Sequence, residues 1–430
     1  MVVSVAMKLS RSSLFFHADF RRLWSGDSIS QIGSAVTLIA LPLVAIRTLH
    51  ATPLQAGLLV TCEYLAFLII GLPAGAWVDR MRHRRVMIVA DIGRAALLGS
   101  IPVAGYLGRL SLLQLYVVTF AVSVCTAFFD VAYQSYLPNL VHDEQLVEGN
   151  VKLEVTRNVA QVGGPGLGGF LIAAFTAPLA IAVNVATFLA SAAFLSRIRR
   201  ADARPEAAVE PNLWAEIGEG LRFVFGHRLL RAITLTGAIS NLCGTIGSSM
   251  LLMLLAGQLR LPPLLCGIVF SAEAVGGLIG ALLATRIVAK LGQGPAICAS
   301  VTLSGVLWLL ALPLFQTDWR LATAVVLHGL GWVVFMTFKI SAVSLRQGLC
   351  PKPLLGRMTA TVRFVIWGAM PIGALLGGFL GQTIGVRQAM WVGVVGELCA
   401  VLPILFSPLR AMREAPAVPA EEPIGAAAAA

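Results

Sequence analysis

Charge is what this chain has least of. Only 12% of its 430 residues are Asp, Glu, Lys or Arg, where a soluble domain carries about a quarter. That shortage argues against a water-soluble enzyme. Acids are the scarcer sign, 21 against 32 basic residues, which leaves a net charge of +11. The seven cysteines (Cys62, Cys125, Cys243, Cys266, Cys298, Cys350 and Cys399) are scattered singly. With no Cys-x-x-Cys or Cys/His ligand spacing, neither a disulfide framework nor a metal site is indicated. No Gly-x-x-x-x-Gly-Lys-Ser/Thr stretch occurs, so an ATP-driven pump within one chain is excluded at the level of motif. Paired Asp clusters and a Ser/His/Asp set are also missing. A membrane-embedded transferase or hydrolase therefore lacks its catalytic constellation, and no cofactor is expected. The N-terminus has no signal-peptide core with a small-residue cleavage site; Met1 to Arg22 reads as a basic cytoplasmic lead-in.

Long apolar runs take the place of charge: 57% of the residues are hydrophobic. About 20 helical residues cross the hydrocarbon of a bilayer. Runs of that length fall at 27–46, 54–77, 86–107, 112–137, 150–174 and 177–197. They resume at 229–256, 263–287, 295–315, 319–345, 357–383 and 385–408. Twelve spans are predicted, which makes the fold class all-α integral membrane. The domain reading is an N-terminal bundle with its lead-in over 1–197, a central loop over 198–228, a C-terminal bundle over 229–410 and a disordered tail over 411–430. Within the central loop, Trp214 to Phe225 has apolar residues at helical spacing and is expected to lie at the membrane interface. The tail is rich in Pro, Ala and Glu.

The cations sit in short blocks between these runs, as positive-inside topology requires and as a nucleic-acid face would not. The densest block is Gly75-Ala-Trp-Val-Asp79-Arg80-Met-Arg82-His83-Arg84-Arg85, a short loop expected on the cytoplasmic side. By alternation the outer turns hold only Arg47, Arg109, Arg260, Arg320 and Arg387. Both termini are then cytoplasmic in a multi-pass protein of the bacterial inner membrane. The halves echo each other. Ser30-Gln31-Ile32 corresponds to Ser240-Asn241-Leu242, and Arg157 and Arg363 each stand eight residues before a proline, Pro165 and Pro371. A six-plus-six repeat is the pattern of a secondary transporter.

The sequence resembles the major facilitator superfamily over nearly its full length. Gly75-x-x-x-Asp79-Arg80-x-x-x-Arg84-Arg85 is similar to that family's loop motif between spans two and three. Arg82 and His83 depart from it, standing where glycine and a basic residue are usual. Gly280 to Arg286 resembles the degenerate second copy and has no acid. Gly164-Pro165-Gly-Leu-Gly168-Gly169 resembles the antiporter motif of drug exporters, without its upstream glycines. Phe20-Arg-Arg-Leu-Trp24, Ser30-Gln-Ile-Gly33 and Phe128-Phe-Asp130-Val-Ala-Tyr133-Gln-Ser-Tyr-Leu-Pro138 look like the branch that holds macrolide and siderophore exporters.

The resemblance implies a twelve-helix fold of two six-helix bundles and a gate at Gly75, Asp79, Arg80, Arg84 and Arg85. In it Asp79 caps the start of span eleven, and Asp130 receives the loop arginines. Embedded acids are rare and functional by default. Glu63 stands nine or so residues into span two, about 14 Å of helical rise. It is the first candidate for proton coupling, Glu273 in span eight the second, and Glu397 in span twelve a further one. Asp91 with Arg94, and Glu154 with Arg157, stand three apart and can neutralise each other locally. Arg157 and Arg363 are alternatively placed to attract an anionic substrate group. Among the aromatics, Tyr133 and Trp367 are candidates to line a substrate cavity. Gly164, Pro165, Gly168, Gly169 and Pro371 allow close helix approach and bending. The expected activity is proton-driven export of a hydrophobic or amphiphilic small molecule, by a monomer whose partners are that substrate, protons and lipid. Uptake by symport is the alternative within the same class.

Overall fold

The computed structural model describes residues 14, 17–78, 80–141, 145–199, 213–351 and 354–412. Among the described residues the chain is helical throughout. The helices are α1 (Ala18–Leu43), α2 (Pro53–Val78), α3 (His83–Tyr106), α4 (Leu112–Leu140), α5 (Leu146–Ala174) and α6 (Ala177–Ser196). They continue as α7 (Leu213–Gly226), α8 (Arg228–Leu252), α9 (Pro263–Leu291), α10 (Gln293–Ala311), α11 (Arg320–Leu349), α12 (Leu355–Thr383) and α13 (Val386–Cys399). Eleven segments are long and apolar enough to cross a membrane. The long helix outside that set is α5, 29 residues in length, whose first turns carry Glu148, Lys152, Glu154 and Arg157. Helices suit this role because a backbone in lipid must satisfy its own hydrogen bonds.

Local chemistry sets the helix starts. At α2, Thr52 and Gln55 form a reciprocal capping box, with Thr52 N donating to Gln55 Oε1 at 2.8 Å and Gln55 N to Thr52 Oγ1 at 3.4 Å. Ser111 Oγ accepts from Gln114 N at the head of α4. His17 Nδ1 accepts from Phe20 N at α1, nine residues before the predicted start of the first span. The helix begins that early because Asp19, Arg21 and Arg22 are tolerated in a first turn outside the hydrocarbon. Asp19 and Arg22 pair there at 2.6 Å.

The internal repeat is geometric as well as sequential. α1 runs into a π-helical turn, Val44–Thr48, and α8 into another, Met253–Gln258. Each is followed by a non-glycine residue in the left-handed region, His50 and Arg260, both at φ 51°. Such a conformation is uncommon for a side chain with a Cβ, and π turns are themselves rare. Their recurrence in the same order at the ends of two helices marks those helices as equivalent.

The described chain forms two compact units. The first comprises α1 to α6 together with Ser248–Ala274 and Ala374–Met390; the second comprises Val275–Gly373, the segments α7 to Gly247, and the chain from Trp391. In the first unit α1 packs on α5 and α6, α3 on α4 and α6, and α2 on α4. Its core holds Phe20, Leu23, Met87, Phe129, Tyr136 and Leu195. In the second, α10 packs on α11 around Ile297, Val301, Phe338 and Leu345. A smaller cluster of Val224, Leu230, Met358 and Val362 fixes α7 to the start of α12.

Candidate functional site

Within the first unit, four helix segments meet through glycine. Gly57 of α2 faces Gly378 of α12 so closely that a Cβ on Gly57 would stand 2.7 Å from the Gly378 Cα. A Cβ on Gly169 of α5 would stand 2.5 Å from the Pro263 carbonyl of α9, and one on Gly267 would collide with the Pro165 carbonyl. Gly166 N donates to Ser271 Oγ at 3.1 Å across the same contact. The Arg47 guanidinium donates to the Leu261 carbonyl, tying the two π turns' trailing ends together. Gly164 and Gly168 serve a different neighbour, letting α5 lie against Ala35 and Val36 of α1. Pro165 and Pro371 are both buried within their helices. The glycines predicted for bending in α5 thus stand at close helix contacts, Gly164 and Gly168 with α1 and Gly169 with α9.

The Tyr64 ring lies within electrostatic reach of the Glu63 carboxyl of α2 and the Glu273 carboxyl of α9, although 210 residues separate the two acids in the chain. Both acids are half-buried, and no hydrogen bond or ion pair to Glu63 is found among the described residues. Glu397 is placed apart, in the second unit. It is buried on α13, accepting from the Ser240 hydroxyl at 2.6 Å, with its other oxygen unpartnered.

The loop residues are distributed differently from one another. Asp79 lies outside the described residues, and Gly75 falls in the last turn of α2. Arg80 and Arg85 are exposed. Arg84 turns back to the C-terminus of α6, donating from Nε to the Leu195 carbonyl at 2.9 Å and from Nη2 to the Ser196 carbonyl. A cation there satisfies carbonyls that the helix end leaves open. Asp130, expected to receive the loop arginines, lies within electrostatic range of Arg157 and Arg94.

Of the two short-range pairs, Asp91 and Arg94 do bond, fully buried, with the guanidinium stacked 4.4 Å from the Phe129 ring and 4.3 Å from Phe188. Glu154 does not hold Arg157. It is exposed beside Asn158, while Arg157 acts on Asp130 and on Asp27 of α1. Asp27 is a residue that sequence reasoning missed. It is 4% exposed and accepts from Gln31 Nε2 at 3.2 Å and from the Tyr133 hydroxyl at 3.4 Å. The signal available in sequence was an acid and an amide four residues apart on a helix, but the apolar run appeared to start at Asp27 itself. In the second unit Arg363 stacks over Trp367 at 5.0 Å, both exposed on α12. No group of His, Cys, Asp and Glu able to hold a metal is present among the described residues.

The transmembrane secretion effector family of the major facilitator superfamily matches residues 10–427. This chain belongs to that family. Among its relatives, the multidrug efflux pump Tap of Mycobacterium tuberculosis is 26% identical over 412 residues, covering 92% of this chain and 95% of Tap. An uncharacterized MFS-type transporter of Bacillus subtilis, YfiS, is 28% identical over 268 residues, 61% of this chain and 63% of YfiS, a little under two thirds of that relative's length. Among solved structures, a bacterial homologue of the iron transporter ferroportin in its inward-facing state superimposes with a TM-score of 0.75. It is 18% identical and covers 90% of this chain and 98% of that one. The family member described here is a multi-pass membrane protein and a secondary transporter, with an all-α fold.

Proposed function

We propose that this transporter exports hydrophobic or amphiphilic small molecules in exchange for protons, by alternating access, from the cytoplasmic side of the bacterial inner membrane. The observation that carries the reading is Glu63, an acid embedded in α2, half-buried and without a hydrogen bond or ion pair among the described residues. An ionised carboxylate in apolar surroundings is costly without a cation, and a proton is the smallest one available. A coupling group must bind its ion from one face and release it to the other. Glu63 lies on a helix that also makes one of the close glycine contacts, Gly57 against Gly378, and is positioned to do so when those contacts open. The efflux pump Tap, similar over most of its length, supports the direction of transport. The distribution of arginine supports cytoplasmic termini, and the working unit is taken as a monomer. The gate assignment at Gly75, Asp79, Arg80, Arg84, Arg85 and Asp130 is part of this reading. So is the lining of the cavity by Tyr133, Arg157, Arg363 and Trp367.

The test is counterflow and gradient-driven flux in proteoliposomes, using a panel of macrolides, siderophores and dyes with and without a pH gradient. At least one member is expected to be moved against its gradient when the proton gradient is applied. The Glu63→Gln variant is expected to reach the membrane in normal amount and to lose gradient-driven flux. Coupled flux that is unchanged in that variant would reject Glu63 as the coupling group.

A further inference from the structure

Lys339 stands inside α11 with no counter-charge. It lies ten residues before the end of that helix, about 15 Å of helical rise. Its side chain is exposed, and no hydrogen bond or ion pair to it is found among the described residues. An ammonium at that depth is costly without an anion beside it. The second unit has none to offer among its described residues. From Val275 to Gly373 the sequence holds one acid, Asp318. Asp318 is paired with Arg320 at 3.6 Å, at the opposite end of α11. The unit's other described acids are also occupied, Glu397 by the Ser240 hydroxyl and Glu219 by Arg357.

Positions seven apart on a helix fall within about 20° of each other. Trp332, Lys339 and Arg346 therefore share one stripe of α11, at intervals of about 10 Å. Arg346 has no partner among the described residues, and the indole Nε1 of Trp332 is buried and unbonded. An indole N–H, an ammonium and a guanidinium can donate hydrogen bonds but not accept them. The stripe changes character at Lys339. On the Arg320 side α9 closes against α11. A Cβ on Gly276 would stand 3.0 Å from the Trp332 Cβ, and one on Gly280 would collide with the Val333 carbonyl. There the Trp332 ring meets Trp308 at 5.9 Å and Phe335 at 5.4 Å, edge to face. On the Arg346 side the stripe is uncovered, with Val343 42% exposed against 7% for Phe335. Lys339 thus sits at the rim of an aromatic patch, with a further donor on each side of it along the helix.

Donors without acceptors, beside aromatic rings, suit a molecule that carries an acidic group on an apolar body. We infer that Lys339 receives the acidic group of the transported molecule, with Trp332 against its apolar part. The substrate class is then an anionic amphiphile bearing a carboxylate, phosphate or sulfonate. A hydrogen bond between two ions is shorter and stronger than a neutral one, and Lys339 has no internal anion competing for it. Arg346 adds a second cation toward the helix end expected on the cytoplasmic side, where an exported anion arrives. The same ammonium repels a cationic molecule of equal shape, so the site selects by rejection as well as by attraction. This rests on the export reading given above and names its substrate class.

Equilibrium binding to the full chain in phosphatidylcholine nanodiscs tests the site without any transport. The probes are a dansyl-labelled alkyl sulfonate and a dansyl-labelled alkyl trimethylammonium of the same chain length. Both are permanently charged, and each is corrected for its uptake by empty discs. The natural protein is expected to bind the sulfonate about tenfold more tightly than the ammonium, or better. Equal affinities overturn the inference, whatever any variant does. Lys339→Met should weaken sulfonate binding by about tenfold and Lys339→Arg should keep it. Lys339→Glu should reverse the preference, which a side chain with only a packing role would not do. Sulfonate binding unchanged in both the methionine and glutamate variants overturns the inference. Phosphatidylglycerol added to the discs should leave the sulfonate affinity as it was; a displacement that depends on Lys339 gives the site to a lipid headgroup and overturns the assignment to substrate. In proteoliposomes the sulfonate should show counterflow that Lys339→Met loses. If the sulfonate binds at Lys339 but neither probe nor any other compound of the panel is moved, the export reading is overturned, although the anion site stands. If the ammonium probe is exported and the sulfonate is not, the inference is overturned and the export reading survives.

Discussion

The seal between α5 and α9 can be weakened by a single methyl group. Gly169→Ala places a Cβ 2.5 Å from the Pro263 carbonyl oxygen and 3.1 Å from the Leu264 Cα. Ordinary contact begins near 3.4 Å, so the helices must part by about 0.9 Å. Both neighbours are backbone atoms, which cannot rotate aside as a flexible side chain would. Overpacking of this kind costs about 1–3 kcal/mol. If the cost falls on the sealed state and is relieved when the seal opens, the open fraction rises about 5- to 150-fold. The reporter is already in the protein: Cys266, next to Gly267, is fully buried beside the contact. With the other cysteines replaced by serine, the rate at which a maleimide labels Cys266 follows the population of the open state, provided closing outruns labelling. A rise of about tenfold is expected for Gly169→Ala, and a similar rise for Gly267→Ala. Labelling at the natural rate in both variants, with each still folded, would refute the idea that these glycines hold a reversible seal.

Two further predictions separate buried from exposed electrostatics. Arg94→Ala removes the partner of a fully buried Asp91, which should destabilise the first unit by about 3–5 kcal/mol. Asp91→Asn combined with Arg94→Gln should cost much less; thermal unfolding of the two proteins in detergent gives the comparison, and equal losses would contradict it. The ion pair of Arg357 with Glu219 joins α12 to α7 with both side chains well exposed. Glu219→Ala should therefore change stability by no more than about 1 kcal/mol. A large fall in the same unfolding assay would mean that α7 is held by that pair and not by Val224 and its apolar neighbours.

The amino-acid sequence determined the apolar spans almost completely: eleven of the twelve predicted runs recur as helices apolar enough to cross a membrane, and the run at 150–174 lies in the more polar α5. Solvation in a bilayer is read out by length and polarity, and both are local properties. The predicted run at 263–287 appears as Pro263–Leu291, and the run at 177–197 as Ala177–Ser196. The amphipathic segment at Trp214 to Phe225 lies inside α7. The same locality made the repeat visible, because Ser30 and Ser240 stand at the same offset as His50 and Arg260, whose unusual backbone the structure then revealed.

Which charge meets which was decided only by tertiary packing. Glu154 stands three residues from Arg157 on one helix, yet no ion pair joins them among the described residues. The charges that feel Arg157 are Asp27 and Asp130, which are 130 and 27 residues away in the chain. Asp27 read as the edge of an apolar run and became an interior residue because α1 starts nearly three turns earlier, at a histidine cap. Arg84, one of the predicted gate residues, donates to the end of α6, a row of open carbonyls more than 100 residues downstream that no local pattern around Arg84 points to. Spans depend on how each segment partitions between water and lipid. Sites depend on which side chains the crossing helices bring within a few ångströms, and no spacing along a single helix encodes that.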